Sequence, residues 1–143
     1  MNAIYFYRIG NFFFKRKIYP ISKLFDIIIF LLYNSYIPSS CEIGVGTKFS
    51  YKAIGVVIHA RSKIGKNCLI GQNITIGGKD GSLNPPVIKD NVYISAGARL
   101  IGDITIGNNC IIGANAVVNK SFDDNNVIAG VPAKVIKKIA NVD

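Results

Sequence analysis

The 143-residue chain is short of acid, of cysteine and of any apolar run long enough to cross a bilayer, and each shortage closes off a class of protein. Eight Asp and Glu stand against 17 Lys and Arg, a formal charge of +9 that favours anionic partners: nucleic acid, an acidic membrane surface or a phosphorylated small molecule. Nucleic acid is set aside, because after Tyr51 the only aromatics are Tyr93 and Phe122, too few to interleave with the basic residues as a stacking surface. Cys41, Cys68 and Cys110 are an odd number with no CxxC pair, which argues against a disulfide scaffold and for a reducing cytoplasm. The start of the chain lacks a basic stretch, an apolar stretch and a small-residue cleavage site in succession, so no secretory leader is expected. The longest apolar run, Leu24 to Tyr33, is broken by Asp26 and is about half the ~20 residues that a membrane span needs. A single histidine, His59, cannot furnish a three-histidine zinc site, and no metal is expected.

What is present falls into two zones, read as a basic, aromatic helical segment over residues 1–36 and a second unit over residues 37–143. The first zone carries Phe12 to Phe14, Phe25, Phe30 and five of the seven tyrosines, with Arg8, Lys15, Arg16, Lys17 and Lys23 among them. Two short helices are expected there, separated at Pro20, which suits the first turn of a second helix better than the interior of one long helix. Two roles stay open: a cap over one end of the unit behind it, or a peripheral contact with the inner face of a membrane.

From Ile37 the chain changes to a period of six. Aliphatic residues recur at Ile37 and Ile43, at Ile58, Ile64, Ile70 and Ile76, and at Ile88, Ile94, Leu100, Ile106, Ile112 and Val118. Four positions after these come small or aliphatic residues, among them all three cysteines, and one position after comes Gly at 44, 65, 71, 77, 107 and 113. Such a period fits neither a helix nor a hairpin meander. It fits a chain that makes a short strand and a corner every six residues, three sides closing a triangular coil. The cysteines then fill the core rather than act as nucleophiles. The register breaks twice: the step from Phe49 to Ile58 is nine, and the twelve residues from Ile76 to Ile88 read as one whole side given over to loop residues, Gly77 to Pro86. A loop thrown out of a regular coil is where such folds place function.

The stretches GVVIHARSKIGKNCLIGQNITIGG (55–78), VIKDNVYISAGARLIGDITIGNNCIIGANAVV (87–118) and AGVPAKVIKK (129–138) resemble the hexapeptide-repeat acyltransferases, in the branch of the serine acetyltransferases and the O-acetyltransferases of surface polysaccharides. The resemblance implies a mainly β fold, a left-handed parallel β-helix with an extruded loop, assembled as a homotrimer with its active sites between neighbouring prisms. It also implies acetyl-coenzyme A as donor, with the pantetheine arm passing Ala96 and Ala114, the nucleotide end meeting Asn119 and Lys120, and Lys134 and Lys137 near the phosphates.

His59 takes a corner slot that holds Gly in six other repeats. In the similar enzymes a histidine is the general base, taking the acceptor's proton as its oxygen or nitrogen attacks the thioester, and imidazole titrates in the right range for that task. Asp80 or Asp90 would orient it. The chain departs from serine acetyltransferases at four matched positions: Lys52 stands where their catalytic histidine does, Tyr51 at the Asp beside it, Pro85 at a loop histidine and Asn84 at the Arg that grips the serine carboxylate. Lys52, Asp80 and Asn84 are therefore the expected acceptor contacts. Losing the cation argues against a free amino acid, so the leading expectation is O-acetyl transfer to a sugar of a surface polysaccharide, in the cytoplasm or at the inner face of the membrane. Serine O-acetyl transfer, amino-sugar N-acetyl transfer and a non-catalytic coenzyme A-binding homologue are the alternatives.

Overall fold

The computed structural model describes residues 1–140; Asn141 to Asp143, the end of the tail included in the 37–143 unit, lie outside the described residues. Two helices come first, α1 (Ala3–Lys15) and α2 (Tyr19–Tyr33). Asn2 caps α1 by accepting the Ile4 N–H at 3.2 Å, Pro20 sits in the first turn of α2 as expected, and Asn34 ends α2 in the left-handed conformation. They pack antiparallel, with Phe6 against Tyr33 at one end and Phe14 against Tyr19 at the other.

The helices close one end of the coil through polar anchors that their own sequence supplies. Tyr7 donates to the Cys41 carbonyl at 2.6 Å, Arg8 donates to the carbonyls of Ile43 and Gly44, and Asn11 donates to that of Ser39 at 2.8 Å. Ala3, Tyr7 and Ile29 belong to the same buried cluster as the isoleucines of the coil. Burial and the adjoining Cys41 push the Tyr7 hydroxyl pKa well above its ordinary value, so it remains a neutral donor.

Behind the helices the chain winds as a left-handed parallel β-helix of short strands. One side is built from Glu42–Ile43, Lys63–Ile64, Val87–Ile88 and Thr105–Ile106. The second holds Lys48–Phe49, Leu69–Ile70, Tyr93–Ile94, Ile111–Ile112 and Asn126–Gly130, closed by the antiparallel Ala133–Lys138. The third holds Val57–Ile58, Thr75–Gly77, Arg99–Ile101 and Val117–Val118. Paired residues stack by type: Ile43, Ile64, Ile88 and Ile106 form one inward ladder and Ile58, Ile76, Leu100 and Val118 another. The residues four positions on, from Cys41 to Ala116, are buried as the spacing requires.

The first interruption is where the spacing places it. Ile43 pairs with Ile64, a turn of 21 residues in place of 18, and the three extra residues lie at the short 3-10 segment Ser50–Ala53, where Tyr51, Lys52 and Ala53 all have positive φ. The second interruption is different from the expectation. Ile64 pairs with Ile88, a turn of 24, so Ile76 and Ile88 occupy adjacent sides, and the loop is thrown out of the corner between the third and first sides without replacing a side. A six-residue insertion leaves the phase of a six-residue repeat untouched, which is why spacing could not separate the two arrangements.

Close approach between coils explains the corner glycines. At Gly44 a Cβ would lie 2.5 Å from the Gly65 carbonyl carbon, and at Gly65 it would lie 2.6 Å from that of Lys89. At the corners after the first and second sides the left-handed residue is found two positions later, usually Asn, as at Asn67 and Asn109 with φ of 54° and 57°. The corner after the third side is roomier, since a Cβ on Gly77 meets nothing nearer than 3.5 Å. His59, Ile101 and Asn119 fill the equivalent positions there.

Candidate functional site

His59 directly follows the first strand of the third side, and its N–H donates to the Ile76 carbonyl at 2.8 Å. The half-buried ring faces the foot of the extruded loop, so that a Cβ on Gly78 would stand 3.6 Å from Cδ2 and 3.8 Å from Nε2. Nδ1 accepts the backbone N–H of Arg61 at 3.1 Å. A neutral ring held this way carries its proton on Nε2 and presents a donor toward the loop. Working as a base requires releasing Arg61 and moving the proton to Nδ1.

The expected carboxylate orienters are elsewhere. Asp90 accepts the Lys66 N–H at 2.8 Å in the corner between the first and second sides, and Asp80 is exposed in the loop. Among the described residues no carboxylate hydrogen-bonds the ring, and the Arg61 amide sets its orientation.

The loop folds over the same corner. Ser82 N–H donates to Lys79 at 3.0 Å, Asn84 Nδ2 donates to Asp103 at 3.2 Å, and Pro85 and Pro86 are buried where the chain re-enters the coil. Between loop and coil lies a groove of about 490 Å³ whose polar lining is Lys79, Ser82, Asp103 and Asn119. Gly102, with φ of 100°, lets the Lys79 stem pass within 3.6 Å of where its Cβ would be. Asn119 was expected at the site; Lys79, Ser82 and Asp103 were not. The signal that would have found Lys79 and Ser82 is their place beside Asp80 in the one loop of the coil.

The residues matched to the coenzyme occupy two edges of the prism. Ala96 and Ala114 lie on the edge between the second and third sides, joined by the Asn115 N–H to the Ala96 carbonyl at 3.0 Å. Ala129, stacked on Gly113, pairs with Lys134 and carries that edge to the end of the coil. Lys52 starts the same edge, linked through the Asn73 N–H to the Ile54 carbonyl at 2.9 Å. Asn119 and Lys120 are on the next edge with His59 and the loop, and Lys137 pairs with Val127 at the far end of its strand. A single chain thus separates Lys52, Ala96, Ala114 and Lys134 from His59, Asn84, Asn119 and Lys120 by the full width of the third side.

All three cysteines are free and buried. Burial, above every other influence, pushes the Cys41 thiol up to about 12 and raises those of Cys68 and Cys110. Native protein at pH 8 is expected to leave all three unlabelled by a thiol reagent over the time in which denatured protein reacts fully; rapid labelling of Cys41 would contradict its core position. Because the raised pKa belongs to the folded state, Cys41 leaves stability unaffected below its ordinary pKa near 9 and lowers it as pH rises toward 12.

No group of three or more His, Cys, Asp or Glu suited to a metal ion occurs among the described residues. The three-sided parallel coil with a corner histidine, an extruded loop and a lysine-edged end is the architecture that the hexapeptide resemblance implies, and residues 85–120 match the family model of the bacterial transferase hexapeptide (six repeats). It is similar to the serine acetyltransferase of Bacillus pumilus (strain SAFR-032), 33% identical over 95% of this chain and 63% of that protein. The structure of serine acetyltransferase from Brucella abortus strain S19 superposes with a TM-score of 0.90 at 28% identity, covering 96% of this chain and 56% of the other. A serine acetyltransferase solved in complex with CoA gives 0.86 at 31%, covering 94% and 55%. The chain spans slightly under two thirds of the length of the first of these.

Proposed function

We propose that the protein is an acetyl-CoA-dependent O-acetyltransferase of a small hydroxylated acceptor, with serine the acceptor its relatives favour. The observation that carries this reading is the placement of the sole histidine at the foot of the extruded loop, on a coil about a third identical to serine acetyltransferases. The sugar acceptor favoured by sequence reasoning finds no support among the relatives. The argument against serine also weakens, because Lys79 in the groove offers the cation that Asn84 does not.

The two separated edges support a homotrimer with shared sites. Closed rotational assembly sets one edge of each protomer against a different edge of its neighbour. A cleft formed from the edge of Ala96, Ala114 and Lys134 on one prism and the edge of His59, Asn119 and Lys120 on the next joins what a single prism holds apart. Small side chains there let the donor's pantetheine arm approach backbone amides, and Lys134 with Lys120 balances phosphate charge. Lys52 and the loop residues Asp80 and Asn84 then border the acceptor.

His59 is the base in this scheme. The Arg61 contact that it gives up is a single hydrogen bond worth about 1 kcal/mol, against the roughly 3–5 kcal/mol of barrier lowering that general-base catalysis supplies. The acceptor hydroxyl loses its proton to Nε2 as its oxygen bonds the thioester carbonyl carbon. The C–S bond then breaks, and the departing thiolate takes the proton from the imidazolium, leaving ester and free coenzyme A.

The test is thiol release from acetyl-CoA with serine, hexoses, amino sugars and nucleotide sugars offered in turn. Serine is expected to give the largest release. Turnover confined to a sugar would replace the acceptor and keep the chemistry, whereas no release with any of them would sink the enzymatic reading.

A further inference from the structure

We infer that the outer face of the α1–α2 hairpin binds the surface of an anionic phospholipid membrane, lying in its plane. The inference is independent of acetyl transfer and rests on what the two helices leave uncovered. α1 turns Ala3, Tyr7 and Gly10 toward the coil and α2 turns Ser22 and Ile29 inward. Facing away at helical spacing are Phe12 on α1 and Leu24, Ile27 and Leu31 on α2, flanked by Phe30 and Leu32. Leu31 is 73% and Leu32 64% exposed, unusual for side chains of this kind grouped on one surface.

Charge decides what covers them. Lys15, Arg16, Lys17 and Lys23 cluster about the turn between the helices, with the Arg16 guanidinium 3.6 Å above the Phe12 ring. Asp26 is the one acid in residues 1–36, and it is committed to accepting the Ser39 N–H at 2.8 Å. The face is therefore apolar and cationic with no exposed acid to answer it. A second copy docked here would bring two such basic clusters together. A bilayer of anionic lipid offers acyl chains to the leucines and phenylalanine and headgroup phosphates to the basic residues. No helix among the described residues is long and apolar enough to cross a membrane, so the hairpin rests in the interface.

The full chain would be sedimented with vesicles of phosphatidylcholine alone and with about one third phosphatidylglycerol. Partition to the anionic vesicles is expected to be at least tenfold greater and to fall in high salt, given some four basic residues at the surface. Leu24→Glu with Leu31→Glu should abolish it, with helical circular dichroism and thiol release retained. Because the chain has no tryptophan, Leu31→Trp supplies a single reporter whose emission should shift to the blue on anionic vesicles only. Equal partition to both vesicle types, an unmoved Trp signal, or a lipid-independent larger species in light scattering that Leu31→Glu dissolves would each overturn the inference, the last in favour of self-association.

Discussion

Replacing His59 by alanine is expected to lower the rate of acetyl transfer by 10²–10⁴-fold while leaving thermal unfolding unchanged, as loss of a general base does. The fold should tolerate the change because the ring is half-buried in the roomy corner after the third side, held by a single hydrogen bond from Arg61. The resting geometry makes the replacement by glutamine more informative. Glutamine can donate a hydrogen bond toward the loop much as Nε2–H does, but it cannot accept a proton and keep it. If His59 is the base, His59→Gln should be as impaired as His59→Ala. A glutamine variant restored to near wild-type rate would instead make the histidine a donor to the thioester carbonyl.

Gly65→Ala is expected to destabilise the protein by about 3 kcal/mol, lowering its melting temperature by roughly 10 °C. The added Cβ would lie 2.3 Å from the Asp90 carboxylate and 2.6 Å from both the carbonyl carbon and oxygen of Lys89. The carboxylate can swing aside, but the carbonyl belongs to the backbone of the next coil, and stacked strands have no slack at their ordinary spacing. Gly81→Ala is the control. Its φ of 83° costs a side chain about 1 kcal/mol, but nothing stands within 4 Å of the new atom. Equal losses at the two positions, measured by thermal or denaturant unfolding, would show that crowding between coils is not what Gly65 relieves.

Much of the coil was legible because a hexad repeat leaves little choice. An isoleucine every six residues with a small residue four later can bury both only if the chain turns at each repeat, and Ile58, Ile76, Leu100 and Val118 stack as that logic requires. The helix boundary at Pro20 was legible for an equally local reason. The path of the extruded loop was not, because an insertion equal to the period is invisible to the period. Nor was the reason for the corner glycines, since crowding by the next coil depends on contacts 21 to 24 residues away, as at Gly44 and Gly65.

At the site the division is similar. The singularity of His59 among corner residues, the loop that follows and the small residues Ala96 and Ala114 can all be read along the chain, because each is a departure from, or a slot in, a repeating pattern. The pattern also determines a core with no room for reactive thiols. Only the folded coil decided that Arg61 and not a carboxylate holds the imidazole, that Lys79 and Asp103 join the groove, and that Ala114 and Asn119 belong to different edges. The physical reason is that periodicity specifies which way a side chain points, whereas its partner is set by how many residues each turn consumes, and here insertions made that number vary from one turn to the next.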